Sequence, residues 1–138
     1  LINDLIEKKR IVIAAGGGGI PVVEKDNKLK GVEAVIDKDR AGCILAQNTK
    51  SDFFLILTDV DNVMINYGTA EEEALKKVSI SEIEKHLTEG QFGQGSMAPK
   101  VESAVKFVKE GGKKAVITSL AKVRDAVKGE AGTIILEE

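Results

Sequence analysis

Gly95-Ser96-Met97-Ala98-Pro99-Lys100 is a turn that runs directly into a helix and ends on a cation. Gly93, Gly95 and Ser96 can present backbone N–H groups there, Pro99 suits a first helical turn, and Lys100 adds a positive charge. A flexible loop, a helix N-terminus and a lysine together make a receptacle for an anion, phosphate above all. Taken alone, the same residues also describe an ordinary loop-to-helix junction with a solvated lysine. Asp37-Lys38-Asp39 is a second cationic point, a lysine set between two carboxylates at a loop-to-helix boundary. Such a lysine can steady a transferring phosphoryl group while an aspartate fixes it by charge-assisted hydrogen bonds. The plainer alternative is that Asp37 or Asp39 caps a helix. Thr58-Asp59-Val60-Asp61 offers hydroxyl, carboxylate and backbone groups to a nucleotide, or a carboxylate within reach of Mg²⁺, and it fits a capped turn equally well.

Missing motifs narrow the chemistry. No glycine-rich loop ends in Gly-Lys-Ser/Thr, so the common P-loop is absent. The run Gly16-Gly17-Gly18-Gly19 leads into Ile20-Pro21-Val22-Val23 and not into a helix, which disfavours a dinucleotide fold. His86, the single histidine, falls on the polar side of a charged helix and reads as a surface residue, leaving no histidine base. Cys43 shares an apolar helix face with Ile44 and Ala46 and reads as core, not as a nucleophile. No set of metal-ligating residues stands out. Two lysines at loop-to-helix boundaries and no proton-transfer centre suit phosphoryl transfer, a reaction driven by positioning and by neutralising charge on equatorial oxygens.

The elements that must position these residues alternate along the chain. Leu1 to Lys9 reads as a helix, and Arg10-Ile11-Val12-Ile13-Ala14-Ala15 as a strand covered on both faces. The polar segment Glu24 to Gly31, turning at Asp26-Asn27, reads as a β-hairpin excursion. A helix from about Asp39 to Asn48 precedes Asp52-Phe53-Phe54-Leu55-Ile56-Leu57, the clearest buried strand. Met64-Ile65-Asn66-Tyr67 is a short extended piece, and Glu71-Glu72-Glu73 a solvated face. Ser79 and Glu82 have capping-box spacing at the start of an amphipathic helix. Val101, Ala104, Val105 and Val108 give the helix from about Pro99 to Glu110 an apolar stripe, and Gly111-Gly112 stops it. Ala115 to Thr118 is a strand, Leu120 to Lys128 a helix, and Gly132 to Leu136 a last strand suited to a sheet edge. The pattern is α/β, a three-layer α/β/α sandwich with a mainly parallel sheet, whose ligands gather at the carboxyl ends of the strands.

Composition limits the partners. A net charge of −2 gives no electrostatic reason to bind nucleic acid or an anionic membrane. With 4% aromatic residues and no Trp there is little surface on which bases could stack. One cysteine excludes an intrachain disulfide and a multi-cysteine metal site, and fits a reducing compartment. No apolar run approaches the ~20 residues of a membrane span. Leu1 is not an initiator methionine and begins a helix already under way, so the chain reads as the C-terminal part of a longer polypeptide.

Gly16-Gly17-Gly18-Gly19-Ile20-Pro21-Val22, Gly31-Val32-Glu33-Ala34-Val35-Ile36-Asp37-Lys38-Asp39, Leu57-Thr58-Asp59-Val60-Asp61 and Gly95-Ser96-Met97-Ala98-Pro99-Lys100-Val101 occur in this order. In order and spacing they resemble the carbamate kinases of the amino-acid kinase family, from about Arg10 to the C-terminus. The resemblance implies reversible transfer of the γ-phosphoryl group of ATP to carbamate, giving carbamoyl phosphate and ADP, often in the ATP-forming direction in arginine catabolism. It implies a cytoplasmic homodimer that uses Mg²⁺ with the nucleotide. Lys38 and Lys100 then resemble the cations that balance the moving phosphoryl group, Asp39 the aspartate that orients them, and Asp37 a helper. Thr58, Asp59, Val60, Asp61, Tyr67, Gly95, Ser96, Met97 and Pro99 resemble the nucleotide pocket, and Gly16, Gly17, Gly18 and Gly19 the carbamate and phosphate side. Residues 1–138 would be the nucleotide-binding C-terminal part of one kinase domain whose N-terminal substrate half is absent from this chain, leaving an incomplete enzyme. Two alternatives remain: another amino-acid kinase acting on a carboxylate or a nucleoside monophosphate, and a nucleotide-binding module without catalysis.

Overall fold

All 138 residues are described by the computed structural model. Helix α1 (Ile2–Glu7) precedes an irregular stretch and a hairpin of β1 (Val22–Lys25) and β2 (Lys28–Gly31). Then follow α2 (Lys38–Asn48), β3 (Phe53–Thr58), β4 (Val63–Ile65), β5 (Glu73–Leu75), β6 (Lys77–Ser79), α3 (Ile80–Thr88) and α4 (Met97–Lys109). The chain ends with β7 (Lys114–Ser119), a 3₁₀ turn (Leu120–Lys122), α5 (Val123–Lys128) and β8 (Thr133–Leu136).

Four strands form the central sheet in the order β3-β7-β8-β6. β3 and β7 are parallel, as are β6 and β8, while β7 and β8 run antiparallel. The sheet is therefore mixed with parallel pairing in the majority. The last strand is interior and not at an edge, because β6, a three-residue strand too short to show an alternating pattern, lies outside it. A separate ribbon pairs β4 with β5, so Glu73 of the exposed acidic run sits in a strand.

Helix α4 carries the core. Val101, Ala104, Val105 and Val108 recur on one face and are all at most 4% exposed, which contributes roughly 2 kcal/mol for each buried valine. Phe107 on the same face meets Phe54 of β3 with ring centroids 5.4 Å apart. α2 lies alongside α4, and Gly42 packs beside the Phe54 ring. α3 caps the other flank, begun by Ser79, whose Oγ accepts the Glu82 N–H at 3.2 Å as the capping spacing requires. Ala115 and Ile117 of β7 join this cluster. Val116 is buried just as fully but outside it, since successive strand residues face opposite sides, and α5 packs on β7. Helices on both faces make the layered α/β arrangement.

Two further expectations need correction. Arg10 to Ala15 is not a strand: Ile11 and Ile13 are 98% and 99% exposed. An apolar run becomes a buried strand only where a neighbour takes its N–H and C=O groups, and no strand of this chain does so. The segment from Leu120 to Lys128 opens as a 3₁₀ turn before it becomes helical. The hairpin stands as expected, with Asp26 and Asn27 at φ 54° and 56°, the left-handed pair of a tight type I′ turn. No helix is long and apolar enough to cross a membrane.

Candidate active site

Asp37 is the N-cap of α2. Its Oδ1 accepts the N–H groups of Asp39 and Arg40, both at 2.9 Å, satisfying two of the amides a helix start leaves open. Those bonds, the Arg40 amide foremost, hold the Asp37 carboxyl below its ordinary value. Within the turn so fixed, Asp39 is buried against α4, at 8% exposure. Lys100, from the first turn of α4, is as deeply placed at 9%, and its Nζ donates to Asp39 Oδ2 at 2.9 Å. Lys38 Nζ donates to that same oxygen at 3.3 Å, with most of its side chain in solvent. The hydrogen bond it donates to Asp39 raises Lys38 above its ordinary 10.5, so it is a cation throughout the neutral range. One carboxylate oxygen thus gathers two ammonium groups and leaves the trio with a net positive charge.

Beside this trio lies a cavity of about 580 Å³, a size suited to a small organic ligand. Lys100 is on its wall, so the cation cluster and the cavity are one site. Thr58, Asp59, Val60, Tyr67, Ser96 and Met97, all named from the sequence, also line it. β3 delivers the first three from its carboxyl end, and the start of α4 delivers the last two. Thr58 Oγ1 donates to Asp59 Oδ1 at 3.0 Å, fixing the one carboxylate on the wall. Asn62, Met64, Gln91 and Phe92, which were not foreseen, and Gly93 of the glycine turn complete the lining. Asn62 and Met64 follow a strand end, which is signal enough to have included them. Gln91 and Phe92 arrive from the turn after α3, and nothing local to them points to a cavity.

Other expected residues stand elsewhere. Asp61 faces away from the cavity: Thr118 Oγ1 donates to its carbonyl at 3.1 Å and Ser119 Oγ to its carboxylate, tying the loop after β3 to the end of β7. Gly95 and Pro99 are off the wall, shaping the turn and the first turn of α4. The Ser96 and Ala98 N–H groups both donate to the Gly93 carbonyl, at 3.1 and 3.0 Å, so the turn uses those two amides internally, and Lys100 adds its charge beside it. Gly16, Gly17, Gly18 and Gly19 do not line the cavity either. Gly18 nevertheless fastens that loop beside the α2 cap, since a Cβ at its φ of 145° would lie 2.3 Å from the Ile36 carbonyl oxygen. Cys43 is core at 1% exposure, and burial pushes its thiol pKa up, as suits an unreactive cysteine. His86 is not a surface residue: its side chain is only 17% exposed, with Nδ1 buried 3.6 Å from Glu89.

The model of the amino acid kinase family matches residues 1–119. The chain belongs to this family. It is 52% identical, over 136 residues, to the carbamate kinase of Thermoplasma acidophilum, covering 99% of this chain and 45% of that protein. It is 52% identical over 138 residues to the carbamate kinase of Thermococcus kodakarensis, covering 100% and 44%. Among solved structures, carbamate kinase from Giardia lamblia bound to AMP-PNP superposes with a TM-score of 0.95 at 43% identity, covering 99% of this chain and 48% of that one. The chain thus spans under half the length of the curated relatives it matches.

Proposed function

We propose that the protein to which this chain belongs transfers the γ-phosphoryl group of ATP reversibly to carbamate, and that this chain supplies the nucleotide cavity and two cations. The observation that carries the reading is the single Asp39 oxygen holding Lys38 and Lys100 at the cavity wall. It is supported by relatives that are carbamate kinases and by a similar structure solved with AMP-PNP. In the forward direction the bond between the γ-phosphorus and the β–γ bridging oxygen breaks while a carbamate oxygen bonds to phosphorus. The products are ADP and carbamoyl phosphate. Negative charge on the transferring group is met by Lys38 and Lys100, and Asp39 keeps both aimed. Asp37 contributes by capping α2. Thr58, Asp59, Val60, Tyr67, Ser96 and Met97 enclose the nucleotide, Gly95 and Pro99 shape its turn, and Asp61 secures the loop beneath it. Gly16, Gly17, Gly18 and Gly19 border the carbamate and phosphate side.

No group of three or more His, Cys, Asp or Glu side chains is assembled to grip a metal ion. The donor set fits Mg²⁺ carried in on the nucleotide phosphates, with Asp59 the carboxylate at hand. Bound there, the ion would screen charge between the β and γ phosphates. In the same reading the complete protein is a cytoplasmic homodimer working in the ATP-forming direction in arginine breakdown.

The test is ATP formation from carbamoyl phosphate and ADP by the complete enzyme, with Lys38→Ala and Lys100→Ala beside it. Each variant is expected to lose about 3 kcal/mol of transition-state stabilisation, roughly two to three decades in rate. Lys38→Ala is the cleaner of the two, its side chain being mostly exposed. Turnover of acetylglutamate, glutamate or a nucleoside monophosphate in place of carbamate would assign the protein to another amino acid kinase activity. Nucleotide binding without phosphoryl exchange would make it a non-catalytic module.

A further inference from the structure

Gln91 sits in the turn between α3 and α4, and its carboxamide engages Asn66 twice. The Asn66 N–H donates to Gln91 Oε1 at 2.8 Å, and Gln91 Nε2 donates to Asn66 Oδ1 at 3.2 Å. Asn66 has a φ of 51°, a left-handed conformation that a non-glycine residue keeps when its surroundings hold it there. Its remaining groups bind its own loop: Nδ2 donates to the Glu71 carbonyl at 3.3 Å, and the Asn66 carbonyl accepts from Thr69 Oγ1 at 2.8 Å. The Gly68 N–H donates to Glu72 Oε2 at 2.8 Å, closing the same loop. Tyr67, the residue that this loop carries, stands 72% exposed at the cavity wall. With the ring so open to solvent, its place over the cavity is set by the backbone of Asn66, and Asn66 is set by Gln91.

We infer that Gln91 is a positioning residue for the nucleotide, acting through Asn66 to hold the Tyr67 ring where a base stacks on it. The inference rests on the nucleotide reading of the cavity given above. A ring fixed before binding spares the ligand the cost of ordering it, so losing the brace lowers affinity without touching the groups that meet the phosphoryl. The amide pair is also the contact that joins the turn after α3 to the ribbon loop across the cavity, which makes Gln91 the point where the two walls are registered.

The test is a double-mutant cycle on ADP binding by this chain, measured by calorimetry for the parent, Gln91→Met, Tyr67→Ala and the double variant. Gln91→Met should weaken ADP about five- to tenfold, and Tyr67→Ala by at least as much. The double variant should bind no more weakly than Tyr67→Ala. Tyr67 is the only tyrosine and there is no Trp, so intrinsic fluorescence reports on this ring alone. Acrylamide quenching of that emission, without ADP, should change in Gln91→Met while far-ultraviolet circular dichroism does not. If Gln91→Met does not fold, Asn66→Gly serves, since glycine accepts the left-handed φ and keeps the backbone N–H bond to Gln91 while losing the Oδ1 contact to Gln91 and the Nδ2 contact to the Glu71 carbonyl; it should weaken ADP in the same direction. Parent-like affinity in the folded Gln91 variant, or a loss that adds in full to that of Tyr67→Ala, would overturn the positioning role while leaving the cavity reading intact. No ADP binding by the parent chain would overturn the cavity reading, and this inference with it.

Discussion

At the residue scale the site turns on two aspartates two positions apart with different work. Asp39 is nearly buried between two ammonium groups, and its charge is what lets Lys100 lie at 9% exposure. Asp39→Asn keeps the shape and one acceptor oxygen but removes that charge. It is expected to cost on the order of 3 kcal/mol of stability, because one member of a buried pair is then left uncompensated. Urea unfolding measures this, and a cost below about 0.5 kcal/mol would mean that solvent screens the pair. Asp37, by contrast, works on the helix. Asp37→Ala should cost about 1 kcal/mol at neutral pH, and Asp37→Asn much less, since an asparagine side chain also caps. The pH dependence follows from the lowered carboxyl. Its contribution is complete above the ordinary 3.8 and is lost as pH falls through the still lower folded value, so the deficit of the alanine variant should shrink on acidification below 3.8. A deficit constant from neutral pH to about pH 2 would show that the charge plays no part in the cap. Both aspartates were visible in Asp37-Lys38-Asp39 as chemically interesting. The residue pattern alone leaves open which one caps and which one clamps, because that depends on where Lys100 of another helix comes to rest; the orienting role of Asp39 was implied by the family resemblance.

At the element scale the cavity wall depends on how a short ribbon is fastened to the sheet. Thr133 at the start of β8 is fully buried: its Oγ1 accepts the Val63 N–H at 2.8 Å and donates to the Leu75 carbonyl. Asn62 Nδ2 donates to that same carbonyl at 3.0 Å, which places Asn62 on the wall. Gly132 makes this junction possible. Its φ is 85°, and a Cβ there would come within 2.8 Å of Val116 Cγ1 and 2.9 Å of the Ile117 carbonyl oxygen. Gly132→Ala combines backbone strain with a clash against the fully buried centre of β7, and should destabilise by roughly 2–4 kcal/mol. A urea midpoint unchanged from the parent would show that β8 can shift away at little cost. Elements with strong periodicity were legible: the valine stripe of α4, the apolar run of β3 and the Asp26-Asn27 hairpin all stand where their residues place them. β5, β6 and the ribbon were not legible, since strands of three residues carry no pattern and exist only through pairing with distant partners. The same reason hid Gln91 and Phe92, which reach the cavity through the packing of α3 on α4 and not through any local motif.

At the scale of the whole molecule, the surface is uneven in a way that bears on what the chain can do alone. One face of the sheet is sealed by α2, α3 and α4, while Leu57 of β3 is 38% exposed on the other, and Ile11 and Ile13 lie almost wholly in solvent upstream of the glycine loop. Apolar side chains so exposed contribute nothing to the fold of this chain, yet they favour association with any surface that would cover them. Ile11→Ser with Ile13→Ser is therefore expected to leave the unfolding free energy of the chain within about 0.5 kcal/mol of the parent, while lowering its tendency to associate as seen by light scattering. In a protein of the relatives' length, where further chain is available to cover this segment, the same pair of substitutions should instead cost several kcal/mol, about 2 for each isoleucine that becomes buried. The contrast separates two origins for the apolar run. A cost of about 2 kcal/mol or more in the 138-residue chain itself would show that Ile11 and Ile13 are already packed within it. Equal and negligible costs in both contexts would leave the run without a structural partner, and the strand-like pattern of Arg10 to Ala15 without a fold to serve.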